Sequence, residues 1–464
     1  MRWLLRLFFL LVIVAAGAWW WAGRAVGPGI DIVQPGEYVG QSTPLQVAVE
    51  APGGEFSTLE VAIEQNNSRH VLFAWAFEGT GLDPSPSVTQ DGDRLEISGR
   101  VGQTQWSELQ AGPARIVVRA ARPVLYGMRQ ATSEAVRDVQ VRLEPPRVSV
   151  LSTFHYINQG GAEFVVYRAT PEDVESGVRV GDLAYPGFPA AGVGLSADPA
   201  MRVAFFALLH DQDPNAPMVV FARDAAGNEA GTPLDRRVFP KRFARSRIEI
   251  SDRFLQQVVP ALAATTPELE LSTSPDDLLA SFLKINGDLR RRNTQTIRAL
   301  AAETAPEMLW REAFQPLGNA QVEARFADSR TYVHAGQEID HQVHLGFDLA
   351  VTVHIPVAAA NRGIVLHAGD LGIFGNCIIL DHGLGVQSLY AHLSSMDVTV
   401  GDTVEKGHVM GRSGMTGLAA GDHLHFTMLV NGREVNPIEW WDPKWMQDRV
   451  FRKIVEAGGD IANR

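Results

Sequence analysis

At 464 residues the chain is longer than one hydrophobic core usually serves, and its size favours about three domains. Apolar residues make up 45% and charged residues 20%, with no low-complexity block or long run of one charge, which argues for a folded protein and against extended disorder. A formal net charge of -12 without a basic stripe argues against nucleic acid as a partner, because phosphate binding depends on clustered cations that release counterions.

The chain opens with Arg2 and Arg6 ahead of an apolar stretch from Leu7 to Ala22, followed by Arg24 and the Pro28-Gly29 break. This reads as an export signal over residues 1–24. Ala16-Gly17-Ala18 offers small residues for cleavage, but Trp19, Trp20 and Trp21 suit a membrane interface and favour a retained, single-pass anchor. The arginines before the segment put the N-terminus in the cytoplasm and the bulk of the chain in the periplasm or outside the cell; cleavage would make the protein secreted. The only cysteine, Cys377, lies in an apolar run and reads as a buried core residue. It permits no intrachain disulfide.

From about residue 30 to 145 the apolar pattern has period two, as in Leu45, Val47, Val49, then Leu59, Val61, Ile63, then Val139, Val141, Leu143. Half-buried strands separated by turn clusters such as Pro52-Gly53-Gly54 predict a β-sandwich. Pro145-Pro146 reads as a linker. A second strand-rich stretch, 146–245, includes Phe164 to Tyr167 and Met218 to Ala222; its Asp224-Ala225-Ala226-Gly227-Asn228 resembles the close of bacterial immunoglobulin-like modules. Between 251 and 314 the period turns helical. Ser274 is placed to cap, Pro275 suits the first helical position, and Leu278, Leu279, Phe282, Leu283, Ile285 and Leu289 follow at helical spacing. Arg290, Arg291 and Arg292, near the end of that helix, read as a solvated face favoured by the helix dipole in preference to an anionic-ligand site.

Short strands and tight turns return over 320–445, and 446–464 reads as a terminal helix or tail. Three histidine segments stand out: His344-Leu345-Gly346-Phe347-Asp348, Tyr390-Ala391-His392-Leu393, and Gly421-Asp422-His423-Leu424-His425-Phe426. Strand alternation puts His423 and His425 on one polar face and Leu424 and Phe426 on the apolar one. Neutral imidazoles and a carboxylate suit zinc, so His344, Asp348 and His425 could supply the three protein ligands of an open catalytic site, leaving His392 and His423 unliganded for proton transfer and oxyanion stabilisation. His334, His341, His354, His367, His382 and His408 read as structural, with His341 nearest to a groove position and His382 securing a turn. Gly411, Gly414, Gly417 and Gly421 lack the following lysine of a phosphate loop and read as turns.

In this order, His344 to Asp348, Tyr390 to Leu393 and His423-Leu424-His425 resemble the lysostaphin-type zinc endopeptidases. The turns Asp381-His382-Gly383, Gly401-Asp402 to Gly407 and Val435-Asn436-Pro437 resemble the same family. The resemblance covers roughly 320 to 445. It implies an antiparallel β-sheet domain, one Zn2+ per chain on His344, Asp348 and His425, His392 and His423 as the catalytic pair, and cross-linking peptides of peptidoglycan as substrate. Only by type does Tyr332 match the aromatic hydroxyl that some relatives place before the first ligand; Glu338 is near but unlike it. The fold expected is therefore mainly β: a transmembrane anchor, two immunoglobulin-like β-sandwich domains, a helical connector and a C-terminal metallopeptidase domain. Because some family members regulate other cell-wall hydrolases without cutting, a latent zinc-binding regulator with a hydrolase partner is the alternative.

Overall fold

The computed structural model describes residues 2–76, 87–195, 198–350 and 352–459. Residues 460–464, the end of the expected C-terminal tail, lie outside the described residues. Strand accounts for 45% and helix for 21%, so the chain is mainly β. It divides into two compact units, residues 1–146 with 223–230, and residues 147–222 with 231–464.

In the first unit the helix Arg2–Ala22 contains a segment, Leu5–Ala22, long and apolar enough to cross a membrane. Its side chains from Leu7 to Val14 are exposed. Alternation then makes strands. Thr43–Glu50 buries Leu45, Val47 and Val49, and Thr58–Gln65 buries Leu59, Val61 and Ile63. These strands belong to a four-stranded and a five-stranded sheet, whose inward residues form one core with Ile97, Ile116 and Val118. The Asp224–Asn228 turn, read from sequence as the close of the second sandwich, counts with the first unit: Asn228 Oδ1 accepts from Gln41 N at 2.8 Å, and Thr43 Oγ1 donates to Ala226 O at 2.6 Å.

In the second unit the strand Gly161–Thr170 is buried along nearly its whole length instead of alternating. The cause is a partner on both faces. Phe164 and Phe205 share a core with Trp310, Phe314 and Trp440, the Phe205 and Trp440 rings lying 5.7 Å apart, so strands of the 147–239 region and the C-terminal sheet are packed as one body. Buried polar groups tie the same junction. Glu439 accepts from Asn158 Nδ2 at 2.7 Å and Ala162 N at 2.8 Å, and a Cβ on Gly161 would press on the Glu439 carboxylate, so a larger residue there would displace this buried group.

Burial pushes the Glu439 carboxyl up to about 7, against the pull of its Asn158 and Ala162 bonds. A raised folded-state pKa means that the folded chain holds this proton more tightly than the unfolded chain. The contribution is therefore full below about 4.5, the ordinary value, and is lost as pH rises through about 7. The shift corresponds to on the order of 3 kcal/mol. Glu439→Gln is expected to flatten the fall of unfolding free energy over that pH window in denaturant titrations; an unchanged slope would place the titration elsewhere.

The C-terminal sheet has eight strands, ordered Gln321–Ala324, Phe347–Ala350, Leu424–Val430, Val386–Leu393, Asn376–Asp381, Gly363–Asp370 and Thr403–Val404, with Arg433–Val435 added on Leu424–Val430. Its neighbours pair antiparallel. Cys377 is fully buried in it, and burial pushes its thiol pKa up, as suits an inert core residue.

The connector region holds the helices Asp252–Thr265, Leu278–Lys284 and Arg290–Leu300, with a π-helical turn at Ile285–Leu289. Residues 304 to 320 are irregular, so the helical reading to 314 runs too far. Ser251 caps the first helix, accepting from Phe254 N at 3.2 Å. Ser274 makes no side-chain cap; instead Ser272 Oγ donates to Asp277 Oδ2, which competes for the same turn. Leu278, Phe282, Ile285 and Leu289 pack on Tyr332 and Ile373 of the following region.

Candidate metal centre and active site

Three antiparallel strands and one turn bring the histidine segments together. Asp348 on Phe347–Ala350 is the register partner of His425 on Leu424–Val430, and Ala391, next to His392, is the partner of His425 on the other side. His344 ends the strand Gln337–His344 and returns through Leu345-Gly346. That turn must approach closely: a Cβ on Gly346 would lie 2.5 Å from His425 Cε1 and 2.5 Å from Thr427 Oγ1. His423 sits one residue before its strand, bridged to Gly414. His392 has φ 62, in the left-handed region, which re-aims a side chain that plain strand alternation would not bring there. Its ring lies 4.8 Å from that of His423 and 5.9 Å from that of His425.

Hydrogen bonds decide which ring nitrogens carry protons. His344 Nδ1 faces Arg325 O at 3.1 Å and must donate to it, leaving Nε2 bare. Thr427 Oγ1 spends its one proton on Leu345 O at 3.0 Å, so it accepts from His425 Nε2 at 3.0 Å, leaving His425 Nδ1 bare. Both bare nitrogens lie 2.9 Å from Asp348 Oδ1 and 3.0 Å from each other. Three lone-pair atoms facing one another at this spacing repel unless a cation sits among them. Tetrahedral zinc with ligand bonds near 2.0–2.1 Å spaces its ligand atoms by roughly 3.3 Å, so the donor set fits such an ion.

Asp348 is further oriented by Arg330, whose Nη2 donates to Oδ2 at 3.1 Å and so turns Oδ1 toward the imidazoles. Burial, reinforced by the neighbouring imidazoles, pushes His392 down to about 3; burial also pushes His425 down to about 4 against the pull of Asp348. Both are neutral near pH 7. Burial also works to lower His423, but the bond and charge of Asp348 outweigh it and raise the pKa. The Nδ1 atoms of His392 and His423 face Thr416 O and Gly421 O, each at 2.8 Å, which fixes both rings.

All five predicted residues line one groove of about 330 Å³. Tyr332 lines it as well, whereas Glu338 is held elsewhere by Arg247 at 2.8 Å. His341 is exposed and bonds Thr331, so it takes no part in the groove wall. His382 is buried between Arg362 O and Ser388 Oγ, a structural role. Arg291 and Arg292 are exposed as expected, but Arg290 turns into the groove, and the reading of all three as one solvated face is corrected there. Thr427 and Arg330 escaped sequence reasoning, which assigns Arg290 to the solvated face. The period-two set Asp328, Arg330, Tyr332 on one face of the strand Asp328–His334 carried the signal of an inward-facing charge.

Residues 342–437 match the model of peptidase family M23. The C-terminal part of the chain is an M23 peptidase domain. Among its relatives, the DD-carboxypeptidase/endopeptidase Mpg of Neisseria meningitidis serogroup B is 39% identical over 97 residues, 21% of this chain and 22% of that protein. The peptidoglycan DD-endopeptidase ShyA of Vibrio cholerae serotype O1 is 35% identical over 96 residues, 21% of this chain and 22% of that protein. Lysostaphin of Staphylococcus staphylolyticus is 39% identical over 95 residues, 20% of each chain. The chain thus spans about a fifth of the length of these relatives. His344, Asp348, His392, His423 and His425 all fall inside the M23 domain; Arg290, Arg330 and Tyr332 lie before it.

Proposed function

We propose that the chain is a zinc-dependent endopeptidase that hydrolyses peptide cross-links of peptidoglycan, held at the cytoplasmic membrane by its N-terminal helix, with the strand-rich regions 30–145 and 146–245 as immunoglobulin-like modules. The observation that carries this reading is the meeting of His344 Nε2, Asp348 Oδ1 and His425 Nδ1, each bare and within 3.0 Å of the others. Those three residues would hold the ion. When bound, zinc supplies a Lewis acid and a nucleophile available at neutral pH.

The remaining work belongs to the chain's own groups. His392 and His423, anchored through their Nδ1 atoms, present Nε2 to the groove, where one takes a proton from the attacking water and the other returns one to the leaving amine. Arg330 and Thr427 hold the ligands in the orientation and tautomer that binding requires. The relatives named for DD-endopeptidase activity support peptidoglycan peptides as the substrate class.

The full chain in detergent, incubated with purified peptidoglycan, is expected to release uncross-linked peptides seen by mass spectrometry. A chelator should abolish release and added zinc restore it. Stoichiometric zinc with no release would instead favour the latent regulator, a reading to which the connector residues Phe254 and Phe282 in the groove wall lend some support.

A further inference from the structure

The groove contains two arginines in different electrostatic situations. Arg330 is compensated: it contacts Asp348 at 3.1 Å and Asp328 at 3.5 Å. Arg290 is not. Its Nε and Nη2 donate to Asn286 O at 3.2 Å and Asn286 Oδ1 at 2.8 Å, and among the described residues no carboxylate pairs with it. Asp340, the acid on the far side of Asn286, accepts from Asn286 Nδ2 at 2.7 Å and from Gln342 Nε2 at 3.1 Å. It bonds the amide that holds Arg290, not Arg290 itself.

An unpaired guanidinium in a partly desolvated cleft is costly unless a ligand completes it. Burial accordingly lowers the Arg290 pKa, with Asp340 and Glu434 felt only at a distance. The geometry is also prepared for a ligand. Asn286 is fully buried, and the Ile285–Leu289 π-helical turn that carries it leads directly into Arg290. The fork on Asn286 fixes the guanidinium plane, while among the described residues Nη1 has no hydrogen-bond partner. A fixed guanidinium edge is suited to a planar carboxylate.

We propose that Arg290 is a specificity-determining residue that binds a carboxylate of the peptide lying in the groove, making the site selective for acidic peptides. This rests on the reading of the groove as a peptide-binding site. The residue is supplied by the helical connector, outside the M23 domain, so the connector is part of the substrate site as well as a wall of the groove.

Two synthetic cross-linked stem-peptide dimers, one with free side carboxylates and one with those groups amidated, separate the possibilities. Binding of each to the full chain in detergent is measured by calorimetry, and cleavage is scored in the same samples. The parent is expected to bind the free-carboxylate dimer at least about 10-fold more tightly, with the difference shrinking as salt is added. Arg290→Gln should weaken that dimer by about 10- to 100-fold and leave the amidated one within about twofold. Arg290→Lys should fall between, keeping charge but losing the fork. Equal binding of the two dimers by the parent, or equal loss of both in Arg290→Gln, would overturn the proposal. If Arg290→Gln does not fold, parental discrimination and its reduction in Arg290→Lys decide the matter. Failure to cut either dimer with zinc present removes the hydrolase reading alone, because the binding comparison still reports on Arg290.

Discussion

Alanine at position 425 is expected to strip the protein of zinc and to lower peptidoglycan cleavage by on the order of 10³-fold or more, the equivalent of several kcal/mol of lost metal assistance. The substitution removes one of the three bare atoms and leaves Asp348 and His344 facing each other at 2.9 Å. The strand pairing is made by backbone, with position 425 opposite Asp348 and Ala391, so the sheet should survive. Thr427→Val provides the graded comparison. It preserves volume but removes the acceptor for His425 Nε2, so the proton can move to Nδ1 and block the ligand atom. Loss of such an outer partner typically costs about 10–100-fold in metal affinity. Elemental analysis and competition with a chromophoric chelator measure both. Stoichiometric zinc retained by His425→Ala would remove the proposed ligand set.

The second large effect concerns stability. Lys453 Nζ reaches Glu163 Oε1 at 2.7 Å and Phe164 O at 2.8 Å, with Lys453 2% and Glu163 0% exposed. Burial pushes the carboxyl up and the ammonium down, and their contact opposes both shifts. Glu163 also accepts from Tyr156 N and Phe164 N, so both charged groups are satisfied inside a dry junction. Lys453→Met leaves a buried carboxylate without its counter-ion and is expected to cost about 3–5 kcal/mol. The double variant Glu163→Gln, Lys453→Met should recover most of that loss, because it removes the uncompensated charge. Unfolding in denaturant measures both, and a single variant as stable as the parent would show that the pair does not brace this junction.

What could be read beforehand follows from how local each signal is. Alternation in Leu45 to Val49 and Leu59 to Ile63 reports strands because successive side chains point to opposite faces, and those residues are buried as that rule requires. Gly161–Thr170 does not alternate, because its opposite face is covered by residues nearly 300 positions away in the chain, such as Glu439 and Lys453. The Ser274 cap failed for a local reason, competition from Ser272 and Asp277. For Arg290 to Arg292, helical spacing placed the run near a helix end, whereas it opens the helix Arg290–Leu300, and spacing could not say which member met another element.

The amino-acid sequence by itself determined the mainly β character, the apolar N-terminal segment and the M23 domain, because composition, periodicity and short motifs are local properties. It also named the five residues that meet in the groove. Only the tertiary structure decided their proton positions, since those depend on Arg325 O, Thr427, Thr416 O and Gly421 O arriving from separate turns and strands. It alone showed that Arg330 is neutralised while Arg290 is not. Whether a charge is compensated depends on which groups lie within a few ångströms, and long-range packing sets that distance.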